Sequence, residues 1–248
     1  MPNKKLRHLS ENKDKILFVH YSCENLTDKN QELSPRITSI AVLFNDEHTL
    51  KSFSLHLTAE VMDIDRDEIE KKYNEIEKAM LADFFKFAET KYDYIWLHWN
   101  MTNINYGFEA LEHRYKVLFK KDAYHIREEN RHNLSRLIFD KYGKKSVDDP
   151  KMENLMILNG GVHRDFMSGR NEVDAFNNKE FLKMHKSTMC KVYWLSSIFR
   201  LFLINKVKTK RFNWKLFTDK VFDHPITRII SFISMIVSII GFIWLLTS

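Results

Sequence analysis

The last twenty residues of the 248-residue chain, 229–248, contain no charged side chain and read IISFISMIVSIIGFIWLLTS. A helix of this length, at about 1.5 Å per residue, spans the roughly 30 Å hydrocarbon core of a bilayer. Trp244 lies near one end of the run, where indole rings favour the membrane interface, and Arg228 precedes the other end. A buried core helix seldom has so long an uncharged run. The sequence therefore predicts a C-terminal transmembrane helix.

The basic residues are concentrated just before that run. Residues 186–228 hold ten basic and two acidic side chains, a net charge of +8, whereas residues 1–185 hold 29 basic and 31 acidic side chains. Basic residues beside a membrane helix stay on the cytoplasmic side and attract anionic lipid headgroups. The charge therefore indicates a lipid surface rather than nucleic acid, and an N-terminal part in the cytoplasm. The side chains expected at the membrane surface are Lys206, Lys208, Lys210, Arg211, Lys215 and Arg228.

A second apolar run, 192–204, has thirteen residues and contains Arg200. It is too short and too charged for a comfortable membrane span. One interpretation is an amphipathic helix that lies in the membrane interface or packs on the N-terminal part of the chain. The other is the first helix of a membrane hairpin. Length favours the interfacial helix.

The N-terminal part shows the alternation of strands and helices that is typical of an α/β domain. Compact apolar or alternating segments predict strands at 15–21, 37–44, 49–57 and 92–98, and spacings of three and four predict helices at 65–90, about 104–118 and 133–142. We therefore divide the chain into an α/β head (1–170), a helical basic stalk (171–228) and a transmembrane helix (229–248). Two cysteines exclude a disulfide scaffold.

The order of three strands, a helix, a strand and a helix resembles the ribonuclease H-like fold, particularly its proofreading-exonuclease branch, over about 1–145. The resemblance implies a mixed sheet with helices and carboxylates that hold two divalent metals. Here His20 and Ser22 stand about where the acidic pair of the first strand would be, and only Glu24 is acidic. Asn100 and Phe108 are of the residue types expected in the second motif of this family, which begins after the strand that precedes the second helix. The resemblance thus implies a degenerate exonuclease with no catalytic residue, metal or cofactor.

Polar and aromatic side chains are unusually dense in 95–115, around the predicted junction of a strand and a helix. Side chains at the carboxyl end of a strand in an α/β sheet commonly face a binding crevice. Stacking and hydrogen bonding from such residues recognise bases or nucleotides. The alternative is structural, with aromatic core residues and an asparagine that caps the helix. The candidate ligand-binding residues are Glu24, His98, Asn100, Asn103 and Tyr106.

The segment HWNMTNINYGFEALEHRY is also similar to one in small bacterial proteins encoded beside antiphage systems, including retron-type systems, over about 92–190. This resemblance implies a cytoplasmic sensing domain joined to an effector that compromises the bacterial inner membrane upon infection. We therefore expect a non-enzymatic, membrane-anchored sensor or effector of antiphage defence. Its expected partners are membrane lipids, a protein of a defence complex, a nucleotide or nucleic acid, and further copies of the chain. A membrane-tethered metal-dependent 3'–5' exonuclease and a nucleotide-sensing membrane module are the alternatives.

Overall fold

The computed structural model describes residues 2–24, 34–46, 48–102 and 105–210. These residues form one compact unit as far as Lys208. The unit contains a mixed sheet with helices on both of its faces. The eight α-helices of the described residues are α1 (Pro2–Glu11), α2 (Leu55–Val61), α3 (Tyr73–Glu89), α4 (Phe108–Phe119), α5 (Leu134–Tyr142), α6 (Lys151–Leu158), α7 (Gly169–Asn177) and α8 (Phe181–Leu203).

Five strands form the sheet, in the spatial order β3-β2-β1-β4-β5. The pairs β1–β2 and β2–β3 are antiparallel, whereas β1–β4 and β4–β5 are parallel. The central strand β1 therefore lies where the antiparallel and parallel halves of the sheet meet. The strands are β1 (Ile16–Cys23), β2 (Ile37–Phe44), β3 (Leu50–Ser54), β4 (Ile95–His98) and β5 (Arg131–Asn133).

Both faces of β1 are buried, which explains its nearly continuous apolar sequence. Successive side chains of a strand point to opposite faces of the sheet. Leu17 and Val19 belong to the core that includes α3 and α4. On the other face, the ring of Phe18 packs edge-on against Phe199 of α8, with 5.6 Å between ring centroids. Helix α8 thus covers one face of the sheet and α3 with α4 cover the other.

A buried ion pair joins α3 to α4 beneath the sheet. Glu77 is fully buried and Arg114 is 7% exposed. The Arg114 guanidinium donates hydrogen bonds to both carboxylate oxygens of Glu77, 2.9 and 3.0 Å from Nε, and Nη2 donates to Asn74 Oδ1 at 2.8 Å. The amide N–H of Ile37 in β2 donates to the same carboxylate at 2.6 Å. These contacts hold two helices and a strand together through one charged cluster.

The predicted strands at 15–21, 37–44 and 92–98 are confirmed as β1, β2 and β4, to within a few residues. The predicted strand 49–57 is shorter, because the chain leaves the sheet at Ser54 and begins α2 at Leu55. The three-residue strand β5 was not predicted, since Arg131, His132 and Asn133 are polar and too few to show an alternating pattern.

The predicted fold class requires correction. In the ranges described above, no helix has both the length and the apolarity needed to cross a membrane. The structure shows an α/β fold with a mixed five-stranded sheet, so the predicted class with its basic stalk and transmembrane helix is wrong as a description of this fold. For the same reason, the described residues do not support the predicted membrane anchoring or the predicted location in the bacterial inner membrane. The run 229–248, on which they were based, lies outside the described residues.

The second apolar run, 192–204, lies almost entirely in α8 and packs on the sheet. Its buried residues Val192, Leu195 and Phe199 face the rest of the fold, whereas Arg200 is exposed. Of the two predicted interpretations, the membrane hairpin is therefore wrong, and the amphipathic helix packs on the head rather than in a membrane interface. The apolarity of this run is explained by the area of sheet that it covers.

The predicted membrane-surface lysines Lys206, Lys208 and Lys210 are exposed, and the backbone N–H of Lys208 donates to Asn159 Oδ1 at 2.8 Å. The other three predicted surface residues, Arg211, Lys215 and Arg228, lie outside the described residues.

Candidate ligand-binding cleft

A cleft of about 790 Å³ opens at the carboxyl end of β1, between that strand, Tyr106 and α7. We call it the β1 cleft. It lies where the apolar part of β1 gives way to polar residues on the face that α8 covers. Its walls include His20, Ser22, Tyr106, Arg170, Glu172 and Lys191.

The carboxylate of Glu172 on α7 is the centre of a polar network at the base of the β1 cleft. Its Oε1 accepts hydrogen bonds from Lys191 Nζ at 2.6 Å, Ser22 Oγ at 3.0 Å and Ser187 Oγ at 3.1 Å. Ser22 Oγ also lies 2.7 Å from the Thr188 hydroxyl. Lys191 is only 4% exposed, and a buried ammonium is tolerated when it is paired and hydrogen-bonded. The network fastens α7 to β1 and α8.

Two tyrosines and a histidine form the aromatic wall of the β1 cleft. The rings of Tyr106 and Tyr21 are stacked with 4.6 Å between centroids, and Tyr106 Oη donates to the Tyr21 carbonyl at 3.1 Å. The His20 ring lies 3.4 Å from the same hydroxyl oxygen. Burial, and then the positive charge of Lys191, lower the pKa of His20 well below its ordinary range. His20 is therefore neutral near pH 7, with one ring nitrogen as donor and the other as acceptor.

Cys23 and Glu24 lie at the outer end of β1. Burial raises the pKa of the Cys23 thiol far above its ordinary value, so the reactive thiolate is scarce at neutral pH. Glu24 Oε2 accepts from Arg36 Nε at 3.2 Å, and Arg36 Nη1 donates to Glu70 at 2.9 Å. Glu24 therefore lines the cleft as a carboxylate whose charge is already paired.

The structure separates the five predicted binding residues. Glu24 and Tyr106 both line the β1 cleft. His98 does not, because it is 2% exposed and its Nδ1 accepts from the Met101 N–H at 3.1 Å. Burial, followed by the nearby His132 and Arg131, lowers the pKa of His98 to about 3. His98 is thus a neutral core residue.

Asn100 lies in a different cleft, and Asn103 lies outside the described residues. Asn100 has a left-handed backbone with φ of 54°. Its N–H donates to Asn133 Oδ1 at 3.3 Å, and its own Oδ1 accepts from Asn133 Nδ2 at 3.1 Å. The structure therefore divides the candidate segment 95–115 between separate sites.

The residues that the sequence did not indicate are Glu172, Lys191 and Arg170. Ser22 and Glu172 are 150 positions apart, so no local spacing relates them. Lys191 was assigned to a membrane-facing stalk because of its charge. Lys191 lies between Cys190 and Val192 in an otherwise apolar helical run, where burying an unpaired lysine is costly. This position could have predicted that Lys191 has a carboxylate partner in the fold.

Another cleft, of about 650 Å³, lies between α2 and the start of α8 and is lined by His56. The rings of His56 and His185 meet edge to face with 5.1 Å between centroids, and His185 Nδ1 lies 2.7 Å from Ser39 Oγ. Burial, and then His56, lower the pKa of His185 to about 4. These two histidines are neutral at pH 7 and serve the packing of α8 on the sheet.

The described part of the chain contains no group of three or more metal-binding side chains. Where the exonuclease resemblance requires an acidic pair on the first strand, the chain presents an imidazole and a hydroxyl. In comparisons with known proteins, neither a protein-family model nor a curated protein matches this chain.

Proposed function

We propose that this protein is a non-enzymatic nucleotide-binding module whose ligand occupies the β1 cleft. The observation that carries the proposal is the convergence of a stacked tyrosine pair, a neutral imidazole and the exposed Arg170 on one cleft of about 790 Å³. A cavity of this size matches those that bind small organic ligands.

The aromatic wall suits a base. Tyr106 lines the cleft and its ring is supported from behind by Tyr21. Base–aromatic stacking contributes about 1–3 kcal/mol per base, and it tolerates any base because each has a π face. The hydrogen bond from Tyr106 Oη to the Tyr21 carbonyl fixes the ring before a ligand arrives, which lowers the ordering cost of binding.

The polar groups suit the remainder of a nucleotide. Since Tyr106 Oη donates to the Tyr21 carbonyl, it accepts from one His20 nitrogen, and the other nitrogen is left as an acceptor for a base edge or a ribose hydroxyl. Arg170 is exposed at the first turn of α7, where the helix dipole also favours a negative charge. Lys191 also lines the cleft, but its ammonium is paired with Glu172, so Arg170 is the basic side chain that is open to a phosphate. This arrangement supports a ligand with an aromatic base at one end and a phosphate at the other.

The chemistry of these groups favours binding over catalysis. The Cys23 thiol is held in its unreactive protonated form, and the low pKa of His20 makes it a weak base. Glu172 already accepts hydrogen bonds from three donors. No observation on the described residues favours the metal-dependent exonuclease as a second candidate.

A ligand screen tests the proposal. Thermal unfolding of the full chain is followed with the four ribonucleoside monophosphates and their triphosphates, and the best ligand is titrated by calorimetry. At about 100 times its Kd, a ligand of the folded state stabilises it by about 2.7 kcal/mol. Tyr106→Leu should weaken binding by roughly tenfold or more through lost stacking, and Arg170→Ala should weaken it for ligands that carry phosphate.

Matched controls separate the cleft from general effects. Tyr92 is 63% exposed and Arg164 is also exposed, and neither lines the β1 cleft, so Tyr92→Leu and Arg164→Ala should bind like the unaltered protein. The proposal fails if no nucleotide shifts Tm, or if Tyr106→Leu binds as tightly as Tyr92→Leu.

The biological setting that we propose is the one implied by the resemblance of the segment around Tyr106 to proteins of antiphage systems. Nucleotide binding would then signal to a protein partner of the defence complex. Plaque counts on a bacterial host carrying the chain with its neighbouring genes test this setting. Tyr106→Leu should lose protection while Tyr92→Leu keeps it; equal protection by both variants contradicts the setting.

A further inference from the structure

A separate cleft of about 630 Å³ lies at the carboxyl end of β4, and we call it the β4 cleft. It is lined by Trp99, Asn100, Ser135, Arg136, Lys144 and Lys151, among others. Strand β5 runs directly into α5, and Asn133, the last residue of the strand, caps the helix. The nine-residue helix α5 therefore begins at this edge of the sheet. Amide groups in the first turn of a helix have no carbonyl partner inside it and favour an anion.

Ser135, in that first turn, provides an independent observation. It is 4% exposed, it lines the β4 cleft, and its hydroxyl forms no hydrogen bond with any residue in the described ranges. The residue as a whole is buried, but its hydroxyl oxygen is not fully buried and is accessible from the β4 cleft. The side chain of Asn133 is already engaged, since its Oδ1 accepts from the N–H groups of Arg136 and Asn100, each at 3.3 Å. Ser135 thus offers a spare donor beside the helix start.

The charges around the β4 cleft favour an anion. Arg136 pairs with Asp140 at 3.8 Å, and Lys151 pairs with Asp149 at 3.4 Å. Lys144 forms no ion pair with another described residue, so its positive charge is unbalanced. Trp99, 5% exposed, supplies an apolar wall next to these polar groups.

We propose that the β4 cleft binds a phosphate group, held by the Ser135 hydroxyl, the first-turn amides of α5 that Asn133 does not cap and the Lys144 ammonium. The group comes either from inorganic phosphate or from a nucleotide whose base lies against Trp99. This site shares no lining residue with the β1 cleft. The proposal therefore goes beyond the proposed function, and each of the two can be refuted without the other.

Nuclear magnetic resonance titration of the ¹⁵N-labelled full chain tests the site. Inorganic phosphate, added at constant ionic strength, should shift the Ser135 and Arg136 amide resonances in a saturable manner, whereas chloride should not. Ser135→Ala should weaken phosphate binding by about tenfold, as expected for a hydrogen bond to a charged group, and Lys144→Gln should weaken it several-fold. The control Lys86→Gln alters an exposed lysine on α3 that does not line the cleft.

The proposal is overturned if the shifts do not saturate, if chloride reproduces them, or if Ser135→Ala and Lys144→Gln both bind like Lys86→Gln. A parallel titration with AMP distinguishes the sources. Tighter binding of AMP, with a shift of the Trp99 indole N–H, supports a nucleotide; equal affinities support the free anion. Tyr106→Leu should leave the phosphate titration unchanged.

Discussion

Removing the positive charge of the Glu77–Arg114 pair is a sharp test of the core. In Arg114→Met, the fully buried Glu77 carboxylate loses all its hydrogen bonds from the guanidinium and keeps the one from the Ile37 N–H at 2.6 Å. Breaking a buried pair by removing one partner costs roughly 3–5 kcal/mol, because a charge stays buried without compensation. We therefore expect Arg114→Met to lower the free energy of unfolding by about this amount near pH 8.

The loss should depend on pH. Burial raises the pKa of Glu77, and the Arg114 guanidinium opposes that rise. Without the guanidinium, the pKa rises further, so the folded chain binds a proton more readily than the unfolded chain. Stability then falls as the pH rises from the unfolded pKa towards the folded one, by at most about 1.4 kcal/mol per pH unit. Arg114→Met should therefore be less destabilised near pH 5 than near pH 8.

Urea unfolding at several pH values measures both effects. The double variant Glu77→Gln/Arg114→Met keeps an oxygen that accepts from Ile37 but no charge, so it should recover much of the loss and show no added pH dependence. Arg164→Met, at an exposed arginine, should cost less than about 0.5 kcal/mol. A loss below about 1 kcal/mol near pH 8, or an equal loss at both ends of the range, would refute the reasoning.

Further variants test α8 and the clefts. Phe199→Ala should cost about 3–5 kcal/mol in urea unfolding because it leaves a cavity against the sheet, whereas Tyr193→Ala, on the exposed side of α8, should change stability little; equal effects would contradict the packing. Because the pKa of His185 is lowered from 6.5 to about 4, stability should be lost as the pH falls between these values. His185→Gln should reduce this loss of stability at low pH. An unchanged dependence of stability on pH would contradict the role given to His185. Lys191→Met should cost about 1–3 kcal/mol by unpairing the carboxylate on α7, and unaltered thermal unfolding would disprove its structural role.

Most regular elements of the head could be predicted because their signals are local. Apolar runs bounded by charge located β1 and β2, and recurrence at three and four residues located α3 and α4. The boundary at Ser54 could not be predicted in this way, since the segment 49–57 alternates as a strand would. Contacts with the rest of the fold end the strand and begin α2.

The candidate site was predicted only in part. Tyr106 and Glu24 were named, and they do line the β1 cleft. Their partners Glu172 and Lys191 come from segments far along the chain, and side chains so distant in sequence leave no common pattern. His98 was named for its chemistry, but its burial against Phe108 makes it a neutral core residue.

Local patterns of polarity were sufficient to establish an α/β head, because the period of apolar residues follows from backbone geometry within each element. They were insufficient for α8. Its apolar residues and its basic Lys191 have the same sequence signature whether they face lipid or protein, and that choice depends on which surface the folded chain brings against the helix. Packing on β1 and β2, with Glu172 beside Lys191, made it a layer of the core and created the β1 cleft at its edge.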